Sequence, residues 1–142
     1  MNLDIGLIGA GSVMALAAVG SSIGAGIAGQ AAIGAWKRNY LANKPASFLL
    51  MIFAGAPLTQ TIYGFILMQA MIGSDKPGLL RLALGIAGGI GMGMSAIAQG
   101  QASAASCDAF GETGKGFGQY ITIVGLCETV ALFVMAFSFG AL

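Results

Sequence analysis

A single acidic residue, Glu128, lies in the middle of a long apolar stretch near the C-terminal end of the sequence. The stretch covers residues 121–140, and about 20 residues of helix at ~1.5 Å per residue span the hydrocarbon layer of a membrane. An ionised carboxylate at that depth costs on the order of 2.5–3.5 kcal/mol, so it must be protonated, paired or bound to a cation. We interpret Glu128 as an ion carrier; the alternative is a carboxyl group that only hydrogen-bonds a neighbouring helix.

The composition of the chain is typical of a membrane protein. Of 142 residues, 57% are hydrophobic and 8% are charged, and the net charge of +1 with no basic run argues against a nucleic-acid partner. The sequence has no His, which removes the usual imidazole metal ligand and neutral-pH proton shuttle. Cys107 and Cys127 have no zinc-ligand spacing and are expected to be small apolar fillers. The start of the chain lacks the basic region of a signal peptide, so we expect the first apolar segment to be retained.

Four apolar segments follow one another along the chain, and each is long enough to cross a bilayer as a helix. They cover residues 5–36, 46–73, 78–106 and 116 to the C-terminal end, with polar connections between them. Cationic residues are more numerous on one side of the predicted topology. The first and third connections carry Lys37, Arg38, Lys44 and Lys115, and the other side carries Lys76 and Arg81. This difference predicts that the hairpin loops are cytoplasmic and that both termini lie outside.

The second half of the sequence repeats the first. At an offset of 68, Leu58, Gln60, Thr61 and Phe65 match Leu126, Glu128, Thr129 and Phe133. The repeat predicts an all-α membrane protein whose four transmembrane helices form two tandem hairpins in parallel topology, residues 1–73 and 74–142. The first hairpin has Gln60 where the second has Glu128, so only the second keeps an ionisable group at membrane depth.

Small and bulky residues are divided between alternate helices. Glycines four residues apart, such as Gly20 with Gly24 and Gly85 with Gly89, let helix backbones approach closely in lipid. The first and third segments contain no Phe, whereas the second and fourth contain most of the aromatic residues. This division predicts an inner layer of slim helices and an outer layer of bulky ones, as in a closed ring of many copies.

Several polar side chains are expected to lie near Glu128. Gln60 is near the centre of its segment, with Thr59 and Tyr63 close to it along the helix. Gln99 occupies the third segment, and Pro57 should bend the second helix and free backbone carbonyl oxygens. A proton needs only the carboxyl group and an apolar pocket, whereas a hard cation needs several oxygen ligands. Any one of these side chains alone would be expected only to cross-link helices, but together they favour an ion site.

The sequence resembles the duplicated proteolipid, known as K or c, of the rotor ring of V-type (vacuolar and archaeal-type) rotary ATPases. In particular it is similar to the bacterial sodium-pumping form. The resemblance covers essentially the whole chain. Besides the two hairpins and the Gly-rich odd helices, it is carried by Pro57, Thr59-Gln60, Tyr63-Gly64-Phe65, Gln99-Gly100 and Glu128-Thr129.

The resemblance implies a role for each of these positions. Sodium, the transported ion, would be bound by Glu128, Gln60, Gln99, Thr59 and the backbone carbonyl of Ala56. Tyr63 would hydrogen-bond Glu128 and close the site. No catalytic residue and no other cofactor is implied, because ATP is hydrolysed by another part of the machine.

The same resemblance implies several partners. Identical subunits would form a ring in the lipid bilayer. Central-stalk subunits would turn this ring, and a stator membrane protein with an Arg would face it. The location would be a bacterial cell membrane.

Three other functions remain open at this point. The chain could form a proton-carrying ring of the same family, a small four-helix proton-coupled secondary transporter, or a structural proteolipid without turnover. A secondary transporter of this kind needs an aromatic-lined cavity, and Trp36, the only Trp, lies at a helix end. A large detergent-resistant ring, rather than a dimer, would distinguish the rotor function from the transporter.

Overall fold

The computed structural model describes residues 4–142, and the chain folds there into four long helices without any strand. All four are long and apolar enough to cross a membrane. The first, second, third and fourth helices are Ile5–Leu41, Leu50–Ile72, Gly78–Thr113 and Phe117–Ala141. The predicted fold class is therefore confirmed. The division into hairpins 1–73 and 74–142 stays a prediction, and residues 1–3 of its first part lie outside the described residues.

The predicted ends of the first and third helices are wrong. The first helix ends at Leu41 rather than at 36, and the third continues from 106 to Thr113. The two helix ends pack together through buried residues such as Ala35 and Phe110, and at the surface Arg38 Nη2 donates to Asp108 Oδ1 at 2.5 Å. Gly114 then ends the third helix in a left-handed conformation with φ of 65°, which glycine adopts without strain.

The second helix is interrupted at Pro57, as the sequence predicted. An α-helical segment at Leu50–Gly55 leads into a 3-10 turn at Ala56–Leu58 and then a second α-helical segment at Thr59–Ile72. Pro57 causes the change because it has no backbone N–H and its ring crowds the preceding turn. The helix begins at Leu50 rather than at the predicted 46.

The first and third helices run in the same direction and form the most extensive interface in the chain. Gly9 faces Gly85, Gly20 faces Gly93, and Gly24 faces Gly100, with backbone against backbone. A Cβ atom at these positions would overlap the opposite helix. The close approach of helix backbones that the glycine spacing predicted is therefore present between the first and third helices. That these helices form the inner wall of a ring stays a prediction.

The fourth helix is the least enclosed of the four. Only 17% of its most apolar stretch is buried, against 44% for the third helix. Its buried residues are Val124, Ala131 and Ser138, which are seven residues apart and so lie on one narrow strip of the helix surface. We call these three residues the seam.

An ion pair ties the start of the first helix to the connection between the second and third. The buried Arg81 donates to both Asp4 carboxylate oxygens at 3.1 Å and to the carbonyl oxygens of Met71 and Lys76. The Gly6 amide and the Arg81 guanidinium hold the pKa of the exposed Asp4 carboxyl below its usual value. Arg81 is therefore a structural residue at this end of the molecule.

Three aromatic rings close the opposite end of the helix bundle. The Phe53 ring centroid lies 6.3 Å from that of Phe110 and 5.3 Å from that of Phe117. Phe110 is in the part of the third helix that the sequence had assigned to a loop, so this helix does carry a Phe. Cys107 is buried beside this cluster as a free thiol. The cluster packs the second, third and fourth helices together between Glu128 and the connection that joins the third helix to the fourth.

Candidate ion site

The Glu128 carboxylate accepts hydrogen bonds from two other helices. The Tyr63 hydroxyl on the second helix donates to Oε1 at 2.5 Å, and Gln99 Nε2 on the third donates to Oε2 at 3.2 Å. Glu128 is half-buried and lies near the middle of the fourth helix. Both carboxylate oxygens therefore have a donor within the protein, at a depth where water would not supply one.

Two fully buried glutamines extend this network into the chain. Gln60 Nε2 donates to Gln99 Oε1 at 2.7 Å. Gln99 Nε2 also donates to the backbone carbonyl of Val124 at 3.1 Å, one turn before Glu128. Gln99 thus bridges the second and fourth helices, and Gln60 reaches Glu128 only through it.

Three oxygen atoms lie together where the second helix is interrupted. The Thr59 hydroxyl donates to the Ala56 carbonyl at 3.1 Å and lies 3.3 Å from Gln60 Oε1. The single hydroxyl proton serves one of these acceptors at a time. The 3-10 turn caused by Pro57 places this oxygen group, since it brings Thr59 within reach of the carbonyl three residues earlier.

All six residues named from the sequence belong to one connected hydrogen-bond network. Glu128, Tyr63, Gln99 and Gln60 form its centre, and Thr59 and Ala56 form its edge beside Gln60. That these residues bind sodium stays a prediction.

One side chain beside Glu128 was missed in the sequence. The hydroxyl of Ser95 donates to the backbone carbonyl of Cys127 at 2.7 Å, directly before Glu128. Ser95 lies four residues before Gln99 and so on the same face of the third helix. This spacing is the sequence signal from which it could have been found.

The donor and acceptor groups of this site suit either of two ions. Glu128 with its apolar surroundings is sufficient to carry a proton. The carboxylate together with the oxygens of Thr59, Ala56 and the two glutamine amides offers the several oxygens that a hard cation needs. Rotation of a glutamine amide exchanges its oxygen for its nitrogen, so the same side chain can face a cation or a bare carboxylate.

These features define a multi-pass integral membrane protein with an ionisable group held at mid-membrane depth. The family model for the C subunit of ATP synthase matches residues 8–71 and again residues 82–140. The chain belongs to this family, and the double match fits two tandem hairpins. The resemblance to the proteolipid family of rotary ATPases is thereby confirmed, while the sodium-pumping form stays a prediction. The prediction of a membrane subunit that is not itself catalytic is confirmed as well.

A curated relative gives the same result. The chain is 36% identical over 135 residues to the A-type ATP synthase subunit K of Methanocaldococcus jannaschii. The match covers 92% of this chain but 58% of the relative. The chain therefore spans less than two thirds of the length of that protein.

Proposed function

We propose that the chain is an ion-carrying subunit of the rotor ring of an A/V-type rotary ATPase and that it moves sodium by reversible binding at Glu128. The observation that carries the proposal is the network that joins Glu128 to Gln60, Gln99 and Tyr63 on the two other helices. Family membership supports the rotor role, and the oxygen group beside Gln60 supports sodium.

The charge of the site changes during the transport cycle. With sodium bound, the carboxylate is neutralised and can pass the lipid at a tolerable energy. A stator Arg would then compete for the carboxylate and release the ion into an aqueous path. In the empty site, the Tyr63 hydroxyl and the Gln99 amide keep the carboxylate hydrogen-bonded until the next ion arrives.

The proposal includes partners and a location. Identical copies form the ring, central-stalk subunits turn it, and a stator protein with an Arg faces it. We propose a bacterial cell membrane with the hairpin loops in the cytoplasm. Exposed lysines support this orientation. The side of the first and third connections carries Lys37, Lys44 and Lys115, whereas the side of the second connection carries only Lys76 among the described residues.

Sodium is expected to slow the carbodiimide labelling of Glu128. Carbodiimide attacks the protonated acid, whereas bound sodium holds the group as a carboxylate. Labelling of purified rings should be measured across a sodium series at several pH values. Protection should be strongest at mildly acidic pH, where sodium and protons compete. Labelling that is indifferent to sodium at every pH would make this a proton site in the same family of rotors.

Removing one oxygen ligand is expected to weaken this protection. Gln60→Ala or Thr59→Ala should raise the sodium concentration for half-protection by about tenfold for each ~1.4 kcal/mol lost. Proton binding needs fewer ligands and should change less.

The chain offers matched controls for both substitutions. Thr129→Ala removes a hydroxyl that bonds its own helix, at Leu126, and Gln69→Ala removes an exposed amide. Equal effects from the site variants and the controls would contradict the assignment of Gln60 and Thr59 as ligands.

A further inference from the structure

The fourth helix is the least buried of the four, and hydrogen bonds add to its packing near Glu128. Its fully buried residues form the seam, and Phe117, Ile121 and Val134 add half-buried apolar contacts toward its two ends. A small rotation would carry Glu128 away from Gln99 and Tyr63 on the neighbouring helices. Polar contacts that fix this rotation therefore matter for the site.

The third helix holds the backbone of the fourth at two points just before Glu128. The Ser95 hydroxyl donates to the Cys127 carbonyl at 2.7 Å, and Gln99 Nε2 donates to the Val124 carbonyl at 3.1 Å. These carbonyls precede Glu128 by one and four residues, so they lie on adjacent turns of the helix.

The two contacts differ in what happens to them during ion exchange. Gln99 also bonds the Glu128 carboxylate, so its amide must adjust whenever an ion enters or leaves. Ser95 is 4% exposed, and its hydroxyl bonds the backbone carbonyl and not the carboxylate. Its hydrogen bond is thus independent of the state of the ion site.

We propose that Ser95 is a positioning residue that keeps the fourth helix in register with the ion site while Glu128 is empty. This inference rests on the proposed function, because it assigns Ser95 a part in ion exchange at Glu128. Ser95 does not touch the ion; it acts through the Cys127 carbonyl on the orientation of the next residue.

The test compares two alanine substitutions in the same helix. Ser95→Ala removes the contact to the fourth helix. Ser106→Ala is the matched control, since Ser106 is 5% exposed and its hydroxyl bonds the carbonyl of Ala102 in its own helix. Purified rings of each variant are labelled with carbodiimide at Glu128 across series of sodium and pH.

Ser95→Ala is expected to raise the sodium concentration for half-protection by about fivefold, the equivalent of one hydrogen bond. Its labelling should also persist to higher pH than that of Ser106→Ala. Ser95→Thr keeps the hydroxyl and should restore both profiles toward those of the parent. A merely structural loss would lower the yield of rings without moving either profile.

Three outcomes would overturn the proposal. Ser95→Ala could match Ser106→Ala in both profiles, Ser95→Thr could fail as completely as Ser95→Ala, or Ser95→Ala alone could prevent ring assembly. The last result would assign the hydroxyl to folding. Parent rings whose labelling ignores sodium would instead contradict the sodium assignment, and the pH profiles would then test Ser95 separately.

Discussion

Glu128→Gln is expected to abolish ion transport while leaving the protein folded and assembled. Glutamine has nearly the same shape, and its amide oxygen can still accept the Tyr63 hydrogen bond that Glu128 Oε1 accepts now. The presence of Gln60 at the equivalent place in the first hairpin indicates that an amide is tolerated at this depth. The variant cannot release or bind a proton and cannot neutralise a cation, so carriage should stop.

The measurement is ion uptake by membrane vesicles that contain the assembled machine, with the size of the purified ring determined in parallel. Glu112→Gln is the matched control, because Glu112 is an exposed acid at the end of the third helix. It should transport like the parent. Transport that survives Glu128→Gln would refute the carrier role, and loss of the ring would favour a carboxyl group that only holds helices together.

Leucine at Gly24 or Gly89 is expected to prevent folding and assembly. A Cβ atom at Gly89 would lie 2.8 Å from Leu16 Cβ, and one at Gly24 would overlap the Ala96 carbonyl. Both positions are in the close contact between the first and third helices, and extra methylenes in a well-packed interior typically cost about 1–3 kcal/mol. Leucine adds more atoms than that contact can accommodate without separating the backbones.

Assembly is measured as the yield of detergent-resistant ring from membranes that contain each variant. Gly140→Leu provides a control in the fourth helix, since a Cβ atom there would meet no other atom of residues 4–142 within 4 Å. The control should give rings in near-normal yield. Normal rings from Gly89→Leu would show that the close helix contact is not needed for assembly.

The number and approximate place of the helices could be predicted because hydropathy identifies the segments that are apolar enough to cross a membrane. The helix ends could not, because hydropathy does not report backbone hydrogen bonding. Residues 37–41 and 107–113 are polar enough for a loop, yet they remain helical, and Cys107 and Phe110 among them are buried. The contacts between these extensions, such as the surface pair Arg38–Asp108, join residues about 70 positions apart, and local composition contains no sign of them.

The members of the candidate ion site could be named from the sequence, but their connections could not. The repeat aligned Gln60 with Glu128, the polar residues of the second and third segments added Tyr63 and Gln99, and the family resemblance assigned their roles. Which amide donates and which accepts depends on side-chain torsions that the sequence does not specify. The bridge from Gln60 through Gln99 to Glu128 is therefore information from the fold.

The seam has a consequence for how such a chain diverges over time. Val124, Ala131 and Ser138 each face the rest of the bundle, so their volumes are constrained by neighbours that would have to change with them. Leu126, Val130 and other outward residues of the same helix are exposed in the described part of the chain, residues 4–142, and meet no such limit there. Distant homologues should therefore keep small side chains at these three positions, seven residues apart, while most other positions of the helix exchange one apolar residue for another. A search for distant homologues should therefore give more weight to these three positions than to sequence identity along the whole helix.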